Sequence, residues 1–303
     1  MLTTFGALAP IFLLIALGWL LRARGFLGAS FWPGAERLVY WILFPALLLL
    51  TTASSDLAGL RSLPLAAALV AAIMLTAALA FALRGRLGLD GASFTSVFQG
   101  AIRNNTYVGL AGAGALYGAA GLAVMGIVVF VVVTLVNVLS VIVLLSHRGG
   151  AMRLADLLLS VASNPLILAC AGGFALNATG VALPGLASAM LEILGRAALT
   201  LALLCVGAGL DLGRLGRNPP AVLAASTLKL VVMPVATWGF CRLLGVEGVA
   251  AATALLFTAA PVSASSYVLA RQLGGDAPLM AGLITLSTLL AALTMPLALA
   301  LLT

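Results

Sequence analysis

The sequence predicts an all-α polytopic membrane protein: ten transmembrane helices forming two inverted five-helix repeats, with a broken helix in each. Three observations predict it. Hydrophobic residues fill 63% of 303 positions, charged residues 8%, and mean hydropathy is +1.24, whereas soluble domains carry about 25% charged residues. Ten apolar runs approach the roughly 20 residues that cross the hydrocarbon of a bilayer. Two of those runs, one in each half of the chain (1–150 and 151–303), are interrupted near their centres by polar residues or proline.

The runs span about 3–21, 35–54, 63–83, 94–116, 121–146, 155–177, 187–209, 219–241, 249–271 and 278–302. The N-terminal MLTTFGALAP has no basic leader and no small-residue cleavage pattern, so the first span is expected to be retained. Pro45 predicts a kink in span 2. The connections are too short to fold as separate soluble domains. Those after spans 1, 3, 5, 7 and 9 hold Arg22, Arg24, Arg37, Arg84, Arg86, Arg148, Arg153, Arg214, Arg217 and Arg271. Those after spans 2, 4, 6 and 8 hold only Arg61, Arg196 and Arg242. The positive-inside bias then puts the odd connections in the cytoplasm and both termini outside, in the cell inner (plasma) membrane. The pI near 10.2 therefore reports topology and not a nucleic-acid partner. Cys170, Cys205 and Cys241 fall inside apolar runs without metal-ligand spacing and are expected to be inert. No metal or cofactor is expected.

The repeat shows in the connections. DLAGLRSLP (56–64) is answered by DLGRLGRNP (211–219) at an offset of 155, and LGLDG (87–91) by LGVEG (244–248) at 157. Tyr107-Val108 is answered by Tyr267-Val268. Five spans per copy is an odd number, so the second copy is inverted, and inverted repeats with broken helices at their interface are a secondary-transporter architecture.

Span 4 carries the densest polarity. FQGAIRNNTYVG (98–109) places Gln99, Arg103, Asn104, Asn105 and Thr106 at membrane depth, where a charge costs about 2.5–3.5 kcal/mol and irregular backbone survives only within protein or beside a water-filled cavity. Arg103 is expected at the C-terminal end of the first half-helix, either offsetting its dipole or meeting a substrate. The two asparagines serve a substrate, the loosened backbone, or one each. Span 9 has the matching interruption, TAAPVSASSY, with Pro261, Ser263, Ser265, Ser266 and Tyr267. Proline frees a carbonyl one turn back, and two such breaks crossing would aim half-helix ends at one point.

Lys229 lies about halfway along span 8. It is either a counter-charge for a substrate or an ammonium tied to carbonyls in place of a bound metal ion. All eight carboxylates sit at or near span ends. Two embedded cations without an embedded anion predict an anionic substrate. Candidate substrate-binding residues are Arg103, Asn104, Asn105, Tyr107, Pro261, Ser263, Ser265, Ser266 and Lys229. Pathway candidates are Gln99, Asn137, Asn164 and Ser287, with Ser140, Thr285 and Thr288 weaker. His147, the sole histidine, is expected in a solvated connection.

RNNTYVG in span 4, SNPLI in span 6, VGAGLDL ending span 7 and AAPVSASSY in span 9 together resemble the auxin efflux carrier family. The similarity is to the bacterial branch with malate and malonate permeases, related to plant auxin exporters. The resemblance implies a fold like that of bile-acid transporters and sodium/proton antiporters. Spans 1, 2, 6 and 7 would form a scaffold, with spans 3–5 and 8–10 a moving transport domain. It also implies a homodimer through the scaffold, and a carboxylate held by Asn104 or Asn105 with the Pro261–Ser265 stretch. Unlike the plant proteins, the chain has no long cytoplasmic loop, and span 9 offers serines where those carry asparagine.

The expected function is secondary transport of a small organic anion such as malate, malonate or an auxin-like acid, by elevator-type alternating access and without sodium. The alternatives are a receptor or channel on the same fold, or a sodium-coupled bile-acid-type symporter. An enzyme is disfavoured, because the spans hold no histidine to pair with a serine and no mid-membrane carboxylates.

Overall fold

Proline, glycine and asparagine punctuate this helical bundle. The computed structural model describes residues 2–54, 62–147, 159, 162–215 and 218–302. Asp56, Arg61, Arg148, Gly150, Arg153, Asp156 and Arg217, which enter the repeat and topology arguments above, lie outside them. Each of the ten apolar runs contains helix among the described residues. Among the described residues seven helical stretches are long and apolar enough to cross a membrane.

The first half comprises α1 (Leu2–Ala23), α2 (Phe31–Leu38), α3 (Phe44–Ala53), α4 (Ser62–Arg86), α5 (Gly91–Ile102) and α6 (Thr106–His147). Gly118, at φ 55° and ψ −139°, divides α6 into two helices, a backbone turn that a side chain would strain. The second half comprises α7 (Pro165–Thr179), α8 (Gly185–Ala208), α9 (Pro219–Thr227), α10 (Met233–Leu243), α11 (Gly248–Ala259), α12 (Ser265–Leu273) and α13 (Ala277–Leu302).

The kink expected at Pro45 is a π-helical turn, Val39–Leu43, that joins α2 to α3. A second π turn, Leu228–Val232, joins α9 to α10 just before Pro234. Proline supplies no backbone N–H and its ring crowds the carbonyl four residues back, so the turn before it widens. Such wide turns recur at functional sites. Here they carry Tyr40 and Lys229.

α1 packs on α8, and α3 packs on both α7 and α8. The first contact is backbone against backbone. A Cβ on Gly207 would sit 1.8 Å from the carbonyl oxygen of Ile15, and one on Gly18 would sit 2.1 Å from that of Leu204. Close approach through small residues is how helices associate in a membrane, where burial from water gives no drive. In the remainder of the bundle α6 packs on α11, α4 on α10, and α5 against α4, α6, α9 and α13. Asp90 caps α5 by accepting from the amide of Ser93 at 2.7 Å, which holds its carboxyl below the usual carboxylate range.

Candidate functional site

The site is built from two helix breaks that satisfy each other. α5 and α11 are both 12 residues long. They end at Arg103 and Ala260, whose backbones turn extended with ψ of 127° and 151°. The extended segments run antiparallel, with Asn104 bridged to Val262. The amide of Asn105 donates to the carbonyl of Pro261 at 2.8 Å, and the amide of Val262 donates to Ser287 Oγ at 3.1 Å. Backbone groups freed by leaving helical geometry thus find partners inside the protein, as the membrane interior requires. Pro261 marks a full break and not a kink.

The two asparagines differ. Asn105 Oδ1 accepts from the amides of Tyr107 (3.1 Å) and Val108 (3.2 Å), so it caps the N-terminus of α6. Asn104 Oδ1 instead accepts from the ammonium of Lys229. Its Nδ2 donates only weakly to Ile102, at 3.4 Å. Both side chains border a cavity of about 580 Å³.

Arg103 provides the cavity's buried cation. The residue is 7% exposed, and its guanidinium donates to Asn137 Oδ1 (2.8 Å), Ser140 Oγ (3.4 Å) and Ser265 Oγ (3.0 Å). Its Nε has no partner. The two ion pairs among the described residues, Arg196–Glu192 and Arg214–Asp211, lie elsewhere on exposed side chains, so Arg103 faces the cavity without a bonded carboxylate. The N-terminal residues of α6, α7 and α12 also line it, through Thr106, Asn164 and Ser265. Asn164 caps α7 by accepting from Leu166 (3.0 Å) and Ile167 (3.3 Å). Helix N-termini carry partial positive charge, so one guanidinium and three helix ends turn toward the same space.

The structure brings Arg103, Asn104, Asn105, Tyr107, Ser263, Ser265, Asn137 and Asn164 to this cavity. Tyr107 stacks on Phe44 with ring centroids 4.5 Å apart, and Ser263 and Ser265 share a hydroxyl hydrogen bond of 2.9 Å. Pro261, Ser266, Ser287, Gln99 and Lys229 do not line it. Lys229 lies behind the crossing, against Asn104 and the carbonyl of Thr258. Gln99 is fully buried with both side-chain ends unpartnered, and the hydroxyl of Ser266 is likewise unpartnered.

Sequence reasoning missed Glu36, Tyr40 and Trp41, which close the cavity from α2 and its π turn, and Gln272 from the end of α12. Glu36 and Gln272 sit near span ends and gave no signal there. The aromatics gave none either, since aromatic residues are ordinary in a span.

A second cavity of about 520 Å³ shares Pro33, Glu36, Ala264 and Val268 with the first and reaches Arg22, Arg214 and Arg271. The two cavities are therefore neighbours, the second bordered by arginines near the helix ends. Among the described residues no group of three or more His, Cys, Asp or Glu is placed to hold a metal ion. The chemistry on offer is hydrogen bonding and the positive charge of Arg103, with the Glu36 carboxylate elsewhere on the cavity wall, at a break inside an apolar bundle.

Crossed broken helices bordering a cavity with polar residues at the crossing are an architecture of membrane transporters. The comparisons give the same class. Residues 193–303 match the Sodium Bile acid symporter family. An uncharacterized transporter of Methanothermobacter thermautotrophicus is 25% identical over 289 residues, covering 95% of this chain and 94% of that protein. The chain is a multi-pass membrane transporter.

These findings overturn the resemblance to auxin efflux carriers, because the family matched is the bile acid symporter family. The residues behind that resemblance have a plainer cause. Asn105 and Asn164 are helix N-caps, and asparagine is selected at helix starts in any family. The homodimer rested on that resemblance, and neither comparison speaks to it.

Proposed function

We propose that the chain is a secondary transporter that carries a small organic anion across the plasma membrane by alternating access. The carrying observation is Arg103, a buried guanidinium that faces the cavity without a carboxylate bonded to it among the described residues. An incoming carboxylate supplies the missing charge, with the hydroxyls of Ser263 and Ser265 and the helix N-termini as further donors. Tyr40, Trp41 and Tyr107 offer aromatic surface to the rest of the solute. The reading is of a carrier, in keeping with the transporter class of the proteins the chain resembles.

The two 12-residue half-helices, displaced by the same interval as the LGLDG and LGVEG connections, support two inverted five-span repeats. The packing of α1, α3, α7 and α8 on one another supports their role as a scaffold for an elevator-like movement of the rest. The second cavity, bordered by Arg22, Arg214 and Arg271, would then lie on the cytoplasmic side, if the positive-inside count sets both termini outside.

A second reading is a sodium-coupled symporter of the bile-acid type, and it fits the match over residues 193–303 better than sodium-free carriage of a small carboxylate. Both readings carry an organic anion and differ in its size and in the coupling ion. The test is uptake into proteoliposomes with a panel from malonate to bile acids, with and without sodium at fixed pH and potential. Saturable uptake of one such anion supports the proposal, and sodium dependence selects the second reading. Binding without flux would indicate a receptor, and uptake of none of them would refute the anion assignment.

A further inference from the structure

The ammonium of Lys229 has three hydrogens and three acceptors. The residue is fully buried. Its Nζ donates to Asn104 Oδ1, to the carbonyl oxygen of Thr258 at 2.6 Å and to Met233 Sδ at 3.7 Å. Thr258 is the penultimate residue of α11, so its carbonyl belongs to the negative end of that half-helix. Asn104 follows the C-terminal end of α5, the other half-helix. The charge therefore sits where two half-helices end, and freed carbonyls and half-helix C-termini are where ion-coupled carriers hold a mobile cation. The π turn at Leu228–Val232 carries the side chain there. No acidic side chain among the described residues pairs with it.

We propose that Lys229 is a tethered substitute for a coupling cation. Its ammonium fills a monovalent-cation site between Asn104 and Thr258, on the far side of the crossing from the anion cavity, so that transport needs no sodium at this position. This concerns the coupling of the transport proposed above and stands independently of which anion is carried. It also runs against the sodium named in the matching family, which makes it sharply testable.

Removing the side chain should reopen the site. Purified Lys229→Ala should melt below wild type in choline chloride and recover by about 2–4 °C in sodium, lithium or ammonium chloride, the shift expected when a small cation is present at about ten times its dissociation constant. Lys229→Met, which fills the space with an apolar side chain, should melt low in every salt. Wild type should melt alike in sodium and choline. A folded Lys229→Ala protein indifferent to all three small cations would overturn the proposal, as would stabilisation of wild type by sodium over choline. Should Lys229→Ala not fold, the wild-type comparison still decides. If no organic anion is transported, the anion reading fails while these melting measurements keep their meaning.

Discussion

Replacing Arg103 with glutamine tests the anion reading most directly. The substitution keeps a polar side chain near Asn137 and Ser265 but removes the cation and the forked geometry that lets one guanidinium reach Asn137, Ser140 and Ser265 together. In the transport-competent protein a bound carboxylate would accept from the same group. Losing one charge-assisted hydrogen bond costs about 1.5–3 kcal/mol, which corresponds to roughly ten- to a hundred-fold in the dissociation constant. The structural cost should be smaller, because Asn137 Oδ1 and Ser265 Oγ border the cavity and water can replace the lost donor. The assay is binding of the transported anion and thermal unfolding on the same purified variant. Affinity should fall by the stated factor while the melting temperature moves little. Arg103→Lys should recover part of the affinity as a point charge without the fork. Unchanged affinity in folded Arg103→Gln would refute the reasoning, since the guanidinium would then serve only to hold α6 and α12.

The remaining expectations follow from packing, capping and topology. Asn105→Ala should lower stability by about 0.5–2 kcal/mol through loss of the α6 cap, read as a drop in melting temperature. Asn104→Ala should additionally leave the Lys229 ammonium short of an acceptor and melt lower still. Gly207→Val should disrupt the α1–α8 contact by driving a side chain into the Ile15 carbonyl; a normally folded variant on size-exclusion chromatography would count against the packing described. The Asp90 cap gives a pH dependence: its carboxyl is held below its unfolded value, so its contribution is present above an unfolded pKa of about 4 and is lost as pH falls through the folded value. Comparing Asp90→Asn with wild type by melting temperature from pH 7 to pH 3 should show the difference shrink with acid. For topology, an impermeant thiol reagent added from outside should label a cysteine introduced at Ala119, beside the Gly118 turn, and not one at Gly150; the reverse pattern would invert the orientation.

Both breaks were legible in the sequence because each violates a rule of membrane helices. Arg103-Asn104-Asn105 puts charge and amides where lipid tolerates neither, and Pro261 with its serines removes a donor and supplies substitutes. The position of Arg103 as the first extended residue after α5 follows from that logic. What sequence periodicity cannot show is which side of a crossing a side chain faces. Lys229 and Arg103 are both mid-span cations, yet only Arg103 lines the cavity. The difference arises from the π turn around Lys229 and from the way α9 and α10 pack against the crossing, and neither is encoded in local spacing. Tyr40 and Trp41 were invisible for the same reason, since tertiary packing and not composition places them beside the cavity. The family was misjudged because short motifs around asparagine caps record helix starts more than ancestry.

The crossing itself constrains how such a carrier can move. Its two breaks are joined by the Asn105–Pro261 backbone bond, the Asn104–Val262 bridge, and the bonds of Lys229 to Asn104 and to Thr258. Each is a buried polar contact, and leaving such a group unsatisfied costs about 1–3 kcal/mol. Pulling the breaks apart to open a path would forfeit several of them at once. Under the elevator-type movement proposed above, the crossing would stay intact and move together with α4, α6, α9, α10 and α13, which pack around it, past the helices that close the cavity from the other side. Those helices meet the crossing across the cavity, where Glu36, Tyr40, Trp41 and Asn164 line the same space as Arg103 and Ser265, and the proposed movement would take place across that space. The same geometry divides the work of the two buried cations. In that proposed movement Arg103 would stand at the moving boundary, where a solute could reach it, while Lys229 would stand inside the unit that stays whole.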